Sequence, residues 1–192
     1  GRFAEHILLS EGLMGFTRID LATQALPEFT ATELIVVTRC FLRRADVERL
    51  LEAVRAGARV VFLQPQRLGM EQLGIAASSA LTYPATVRIH EGFSTAHLPI
   101  QTHLPIPHYE LPGRCPWQVL ADALDADWNE TGRPAVVKTA LGKGEIALFF
   151  YDLAEAIAHI RFGNPDLGGY SANGLWDWPH ALDLFIGHVD HR

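Results

Sequence analysis

The sequence is poor in the residues that carry disulfide, nucleic-acid or membrane chemistry. Only Cys40 and Cys115 occur in 192 residues, so at most one disulfide can form and a disulfide framework is excluded. Sixteen Lys and Arg stand against 22 Asp and Glu, and the net charge of −6 argues against a nucleic-acid-binding face. No apolar run reaches the roughly 18–20 residues that a membrane-spanning helix needs. We therefore predict neither nucleic-acid binding nor a membrane span.

The start of the chain lacks both a methionine and a signal sequence. Gly1, Arg2 and Phe3 lead directly into a helical pattern over residues 3–11. We expect a processed protein or a fragment of a larger one. Its location in the cell is left open, with the cytoplasm favoured.

The clearest pattern that is present lies at residues 133–163. Two apolar runs, Ala135–Leu141 and Glu145–Tyr151, flank a Gly-Lys-Gly turn at 142–144. Because glycine tolerates positive φ, this pattern predicts a β-hairpin. The second run is apolar on both faces, which predicts a strand inside a layered domain.

A helix is predicted directly after this hairpin. Asp152 is a suitable N-cap, and Glu155 completes a capping-box pattern. Leu153, Ile157 and Ile160 recur at helical spacing and are expected to face the sheet.

An earlier segment has the pattern of a βαβ unit. The β-branched runs Glu33–Thr38 and Arg59–Leu63 predict buried strands, and the stretch Ala45–Ala56 between them predicts a helix. Two strands joined in this way are expected to be parallel, with a right-handed crossover. A short alternating strand is also predicted at Phe16–Asp20.

The pattern changes at residues 83–124, where prolines separate short strand-like pieces. These pieces are Thr86–His90, Ile100–Leu104 and Gln118–Leu124. Because proline cannot donate to a strand ladder, this region is predicted to be a strand-rich insertion at the edge of the sheet. Residues 163–192 are predicted to form a C-terminal arm.

These elements together predict an α/β fold in a single domain covering residues 1–192. We expect a three-layer α/β/α sandwich with a mainly parallel central sheet, a strand-rich insertion and a C-terminal β-hairpin.

Three phrases carry a resemblance to known proteins. PAVVKTALGKGEIALFFYDL at 134–153 resembles the hairpin of the class I glutamine amidotransferase-like, or flavodoxin-like, fold, closest to ThuA-like domains and to the trimerisation domain of some β-galactosidases. GRFAEHILLSEGLMGF at 1–16 and YDLAEAIAHIRFGNPDLGG at 151–169 resemble a domain of multidomain bacterial proteins, some dimethylformamidase-β-like and some with sugar-active modules. The resemblance implies a non-catalytic member, possessing the scaffold of the fold without its chemistry.

The catalytic positions of the resembling family are not matched. Active amidotransferases place a cysteine in a glycine-rich elbow after the strand that corresponds to Arg59–Leu63, whereas residues 64–67 here read Gln-Pro-Gln-Arg. The place of the family's His-x-Glu pair reads Tyr-Asp-Leu at 151–153. Cys40 has no elbow glycine and fits an ordinary half-buried cysteine. We therefore predict no catalytic residue and no cofactor.

A histidine-rich stretch offers an alternative. His90, His103 and His108 could converge on a divalent metal such as zinc if adjacent strands carried them. That site would suit a hydrolase or a sugar-modifying enzyme. Solvated histidines on loops and edge strands are the simpler interpretation.

The C-terminal arm is the predicted binding segment. Aromatic rings beside amides and carboxylates suit a saccharide or a protein partner, and the arm could also pack on its own domain. The candidate residues are Arg161, Asn164, Asp166, Tyr170, Trp176 and Trp178.

The predicted function is a structural or interaction module of a larger bacterial, carbohydrate-related protein. Its expected partners are adjoining domains or identical subunits, with carbohydrate as a further candidate. The alternatives are the metal-dependent enzyme above and a carbohydrate-binding module that uses the two tryptophans of the arm.

Overall fold

A computed structural model describes residues 2–65, 67–90, 92, 99–113, 117–162, 169–170 and 176–177. The helices of this part are α1 (Arg2–Ser10), α2 (Arg44–Ala56), α3 (Arg67–Gln72) and α4 (Leu153–Phe162). The strands are β1 (Leu34–Val37), β2 (Arg59–Leu63), β3 (Ala76–Thr82), β4 (Thr86–Ile89), β5 (Ile100–Gln101), β6 (Ile106–Glu110), β7 (Gln118–Leu124), β8 (Glu130–Leu141), β9 (Gly144–Phe149), β10 (Gly169–Tyr170) and β11 (Trp176–Asp177).

A mixed seven-stranded sheet is the centre of the fold. Its strand order is β1-β2-β9-β8-β7-β4-β5. The β1/β2 and β2/β9 neighbours are parallel, whereas every pair from β9 to β5 is antiparallel. Strands β3 and β6 form a separate antiparallel pair, as do β10 and β11.

The βαβ unit predicted from the apolar runs is confirmed. β1 and β2 pair in parallel, and α2 connects them. The N–H of Gly57 donates to the carbonyls of Ala53 and Val54 at the end of α2, with a φ of +132° that suits glycine. α2 buries Val47, Leu50, Leu51 and Val54 in the core against β2 and β9.

The predicted hairpin is also confirmed. β8 and β9 pair antiparallel through a turn in which Gly142 has a φ of +64°. β9 lies inside the sheet between β2 and β8, and its Ile146 and Leu148 are fully buried. A strand that is apolar on both faces therefore takes an interior position, as expected.

Small residues attach two helices to the other face of β2 and β9. Ala4 of α1 and Ala154 of α4 pack with Leu63, and Ile7 and Leu153 contact this cluster. Asp152 Oδ1 accepts the N–H groups of Ala154 and Glu155, each at 3.1 Å, so the predicted N-cap of α4 is confirmed. None of the helices in the described part has the length and apolar character that a membrane crossing requires.

The predicted three-layer α/β/α sandwich with a mainly parallel sheet is wrong. Among the described strands, β1, β2 and β9 alone are parallel, and β8, β7, β4 and β5 continue the sheet as antiparallel strands. The physical reason is that β7, β8 and β9 follow one another as hairpins instead of being joined by helical crossovers, and hairpins join antiparallel neighbours. The strand predicted at Phe16–Asp20 does not form.

Candidate functional site

Four ionisable side chains form a continuous network beside the antiparallel half of the sheet. We call Arg88, His90, Asp122 and Glu130 the polar row. Arg88 of β4 lies directly opposite Asp122 of β7. His90 follows β4 and stays in register because its N–H donates to the Leu120 carbonyl at 2.9 Å. Arg88 and His90 are two residues apart in an extended segment, so both side chains lie on the same face.

Short polar contacts connect the row from end to end. Arg88 Nη2 donates to Glu130 Oε1 at 2.8 Å and to Asp122 Oδ2 at 3.2 Å. Asp122 Oδ2 also lies 2.7 Å from His90 Nε2. The two carboxylates, Glu130 foremost, raise the pKa of the Arg88 guanidinium. All four side chains are partly exposed, so these pairs add little to stability. The row is consequently better placed to contact a ligand than to hold the fold together.

A tightly bonded loop that contains an exposed tryptophan directly precedes Glu130 of this row. Asp125 Oδ1 accepts the N–H groups of Asp127 and Asn129, both at 2.9 Å, and Asn129 Nδ2 donates to Asp125 Oδ2 at 3.1 Å. The Trp128 N–H donates to the Asp125 carbonyl at 3.1 Å. Trp128 itself has a φ of +65° and is 59% exposed. Two residues later the chain reaches Glu130 of the polar row.

The opposite edge of the sheet is apolar. Leu34 and Val36 of β1 point to one face and are 65% and 39% exposed. Ile35 and Val37 point to the other face and pack against the core. The Arg59 N–H donates to the Glu33 carbonyl, which sets the alternation of the β1/β2 ladder. Leu34 and Val36 therefore direct their N–H groups away from β2, and we call these two residues with their outward backbone the β1 edge.

The position after β2 holds a glutamine in an uncommon backbone conformation. Gln64 has a φ of +51°, and its N–H donates to the Phe149 carbonyl at 2.9 Å. Pro65 follows it, and Asp152 serves as the N-cap of α4. Tyr151 is buried, and burial raises the pKa of its hydroxyl. Burial likewise raises the pKa of the free Cys40 thiol, which opposes thiolate formation.

The structure does not bring the three metal-candidate histidines together. His90 contacts Asp122, His108 Nε2 lies 2.8 Å from Thr82 Oγ1, and His103 is buried with a φ of +58°. In the part of the chain that the structure describes, no three His, Cys, Asp or Glu residues form a group that could hold a metal ion. These donor sets do not fit zinc, and the zinc alternative stays a prediction without structural support.

The predicted binding residues of the arm lie mostly outside the described residues. Arg161 is described, and it links α4 to α1 by donating to Ser10 Oγ at 2.7 Å and to the Glu11 carboxylate. Tyr170 and Trp176 are backbone partners in the β10/β11 pair, and only their backbones are described. Asn164, Asp166 and Trp178 lie outside the described residues. Binding by the arm stays a prediction.

Sequence reasoning missed most of the polar row. The sequence pattern indicates His90 only as a metal ligand and does not single out Arg88, Asp122, Glu130 or Trp128. The alternation of Arg88 and His90 in an otherwise apolar strand was an available signal. Their partners Asp122 and Glu130 lie on β7 and β8, and the sequence gives no sign that β4 pairs with β7. The network therefore could not be inferred from the sequence.

Comparison with known proteins shows where this fold occurs. No protein-family model and no curated protein matches the chain. Among solved structures it is similar to the exo-β-1,4-mannosidase Op5Man5 from Opitutaceae bacterium strain TAV5, with a TM-score of 0.56 and 21% identity over 81% of this chain and 26% of the mannosidase.

Two further structures are similar at a lower level. A β-galactosidase from Bacillus circulans sp. alkalophilus has a TM-score of 0.50 and 12% identity, over 72% of this chain and 24% of that one. The carbohydrate deacetylase Agd3 has a TM-score of 0.50 and 15% identity, over 67% of this chain and 24% of that one. The chain therefore shares its fold with parts of carbohydrate-active enzymes and spans about a quarter of their length.

Proposed function

We propose that this chain is a non-catalytic interaction module of a larger, carbohydrate-related protein, and that it associates through the β1 edge. The observation that carries the proposal is the β1 edge itself, where Leu34 is 65% exposed beside an outward backbone. The partner is an identical subunit or an adjoining domain of the parent protein.

The physical argument starts from the cost of an uncovered edge strand. Soluble proteins protect such edges with charge, proline or a covering element, because unpaired N–H and C=O groups promote pairing with another chain. β1 reads Leu-Ile-Val-Val and contains none of these protective residues. A partner that covers Leu34 and Val36 would remove apolar surface from water and satisfy the outward backbone groups.

The carbohydrate context is supported by the fold comparison and by the sequence. The mannosidase and the β-galactosidase are each about four times as long as the part that this chain matches. A domain of that relative size fits a supporting role beside a separate catalytic domain. The resemblance of residues 134–153 to the trimerisation domain of some β-galactosidases points in the same direction.

The test is the mass of the chain in solution, measured by light scattering across a range of concentrations. The wild-type chain should exceed its monomer mass of 21.2 kDa, either by itself or after a separately produced adjoining domain of the parent protein is added. Replacing Leu34 and Val36 together by lysine should return it to the monomer, because charge on an edge strand opposes pairing.

Leu81→Lys is the matched control, since Leu81 is an exposed leucine of β3, outside the seven-stranded sheet. This control should associate like the wild type. A wild-type chain that is monomeric under both conditions, or association that the double lysine variant leaves unchanged, contradicts the proposal.

A further inference from the structure

The loop around Trp128 has features that folding alone does not require. The Asp125 carboxylate and backbone hold the loop through hydrogen bonds from Asp127, Trp128 and Asn129. These bonds keep a bulky aromatic residue at a φ of +65°, where glycine or asparagine is the usual choice. An indole that is held in this conformation and is mostly exposed points to a role in contact with a partner.

The polar row continues from this loop along the sheet. Glu130 lies opposite Leu124, Asp122 lies opposite Arg88, and His90 bonds at the level of Leu120. The three contacts of 2.8, 3.2 and 2.7 Å run through the shared atoms Arg88 Nη2 and Asp122 Oδ2, so the polar atoms of the row lie close together. A cluster of this size suits the hydroxyl groups of one sugar ring, and Trp128 lies two residues before Glu130 in the chain.

The row retains unused hydrogen-bonding capacity. Arg88 makes both of its contacts through Nη2, so within the described part of the chain its Nε and Nη1 have no partner. Glu130 Oε2 and His90 Nδ1 likewise have no hydrogen-bond partner within the described residues. Donors and acceptors thus alternate along the row, and charge-assisted hydrogen bonds of this kind are the strong ones.

The charge of the row selects among ligand classes. Two carboxylates stand beside one guanidinium, so a phosphate, a sulfate or another anionic ligand would be repelled. A neutral ligand rich in hydroxyl groups can donate to the carboxylates and accept from Arg88. Its C–H face can also stack on an indole, which is amphipathic in the same way.

We propose that Trp128 and the polar row form a binding surface for a neutral oligosaccharide, with the ring of one sugar on the indole and hydroxyl groups of the next on Arg88, Asp122 and Glu130. This surface lies on the half of the sheet opposite the β1 edge, so it does not depend on the association proposed above. It also differs from the arm residues that the sequence predicted for carbohydrate.

The experiment is calorimetric titration of the 192-residue chain with neutral β-1,4-linked oligosaccharides of glucose, mannose, galactose and xylose. At least one should bind with a dissociation constant below about 1 mM. Trp128→Asn should weaken that binding at least tenfold, because asparagine accepts the same φ without offering a ring. Asp122→Asn should weaken it as well, through loss of a charged acceptor and of the contact that orders Arg88.

Phe41→Asn is the control, since Phe41 is an exposed aromatic far from the row in the chain and outside the sheet. It should leave the affinity unchanged. The proposal is overturned if no oligosaccharide binds or if Trp128→Asn binds as tightly as the wild type. It is also overturned if the Trp128 and Asp122 variants lose affinity for a protein partner but keep their affinity for oligosaccharides.

Discussion

The Lys143 backbone N–H donates a hydrogen bond of 3.1 Å to the carbonyl of Arg55. This bond attaches the β8/β9 turn to the last turn of α2, where a carbonyl would otherwise lack a partner. Gly144 makes the approach possible, since a Cβ at this position would lie 2.1 Å from the Ala58 carbonyl oxygen and 2.4 Å from that of Val54. The hairpin and the helix are thus packed backbone against backbone.

Gly144→Ala should therefore destabilise the protein strongly. A methyl group at this distance forces backbone atoms of two elements apart, and overpacking of this kind costs roughly 1–3 kcal/mol or more. The expected result is a lower midpoint in urea unfolding followed by circular dichroism, with a loss of about 3 kcal/mol.

Gly15→Ala is the matched control for that substitution. A Cβ on Gly15 would meet no atom within 4 Å, and its φ is compatible with an L-amino acid. Its stability should stay within about 0.5 kcal/mol of the wild type. Equal stability of the two variants would show that the hairpin does not pack against α2 as described.

Asp46 makes the start of α2 sensitive to acid. Its carboxylate accepts three hydrogen bonds from Arg43, from the backbone N–H, Nε and Nη2, at 2.9–3.0 Å. The Arg43 side chain is the main reason that the pKa of Asp46 is lowered. A carboxyl with a lower pKa in the folded state stabilises above its unfolded pKa of about 3.9, and this stabilisation is lost as the pH falls through the folded value.

Asp46→Asn should accordingly reduce stability at pH 7 by about 1 kcal/mol, the usual effect of losing a capping carboxylate. The difference from the wild type should shrink when urea unfolding is repeated well below pH 3.9. Glu48→Gln is the control on the same helix, because its exposed pair with Arg44 contributes little. A difference that does not change with pH would contradict the role given to the carboxylate.

Trp128 should be replaceable with a gain in stability. A residue with a Cβ at a φ of +65° costs roughly 1–2 kcal/mol, and asparagine tolerates this region better than tryptophan. Trp128→Asn is therefore expected to raise the free energy of unfolding by about 1 kcal/mol. Urea unfolding measures this change, with Phe41→Asn as a comparison in which no strain is relieved. A destabilised Trp128→Asn would mean that the indole supports the fold.

The local elements of this protein were predictable because their signals are local. The βαβ unit and the β8/β9 hairpin follow from apolar runs of the correct length and from glycines at the turn. The apolar stripe predicted for α4 is wrong at Ile160, which is exposed, and Ala154 and Ala158 are buried instead. Small residues allow this helix to lie close to its neighbours, and a search for large apolar residues overlooks them.

The antiparallel half was missed because its strands are short, polar or interrupted. β3 reads Ala-Ala-Ser-Ser-Ala-Leu-Thr and has almost no buried residue, so no apolar pattern marks it. The prolines before β7 predict an edge position for it, yet the strand itself contains no proline and pairs with β8 on one side and β4 on the other. The polar row depends on the pairing of β4 with β7, a long-range register that composition and spacing do not encode.

Amide hydrogen exchange at the β1 edge tests the central claim most directly. The N–H groups of Leu34 and Val36 point away from β2, whereas those of Ile35 and Val37 point toward it. Exchange at Leu34 and Val36 should slow at least tenfold when the chain associates at high concentration or when an adjoining domain of the parent protein is present. Exchange at Ile35 and Val37 should be slow under every condition. Rapid exchange of Leu34 and Val36 under both conditions would contradict the proposal that this edge is an interface.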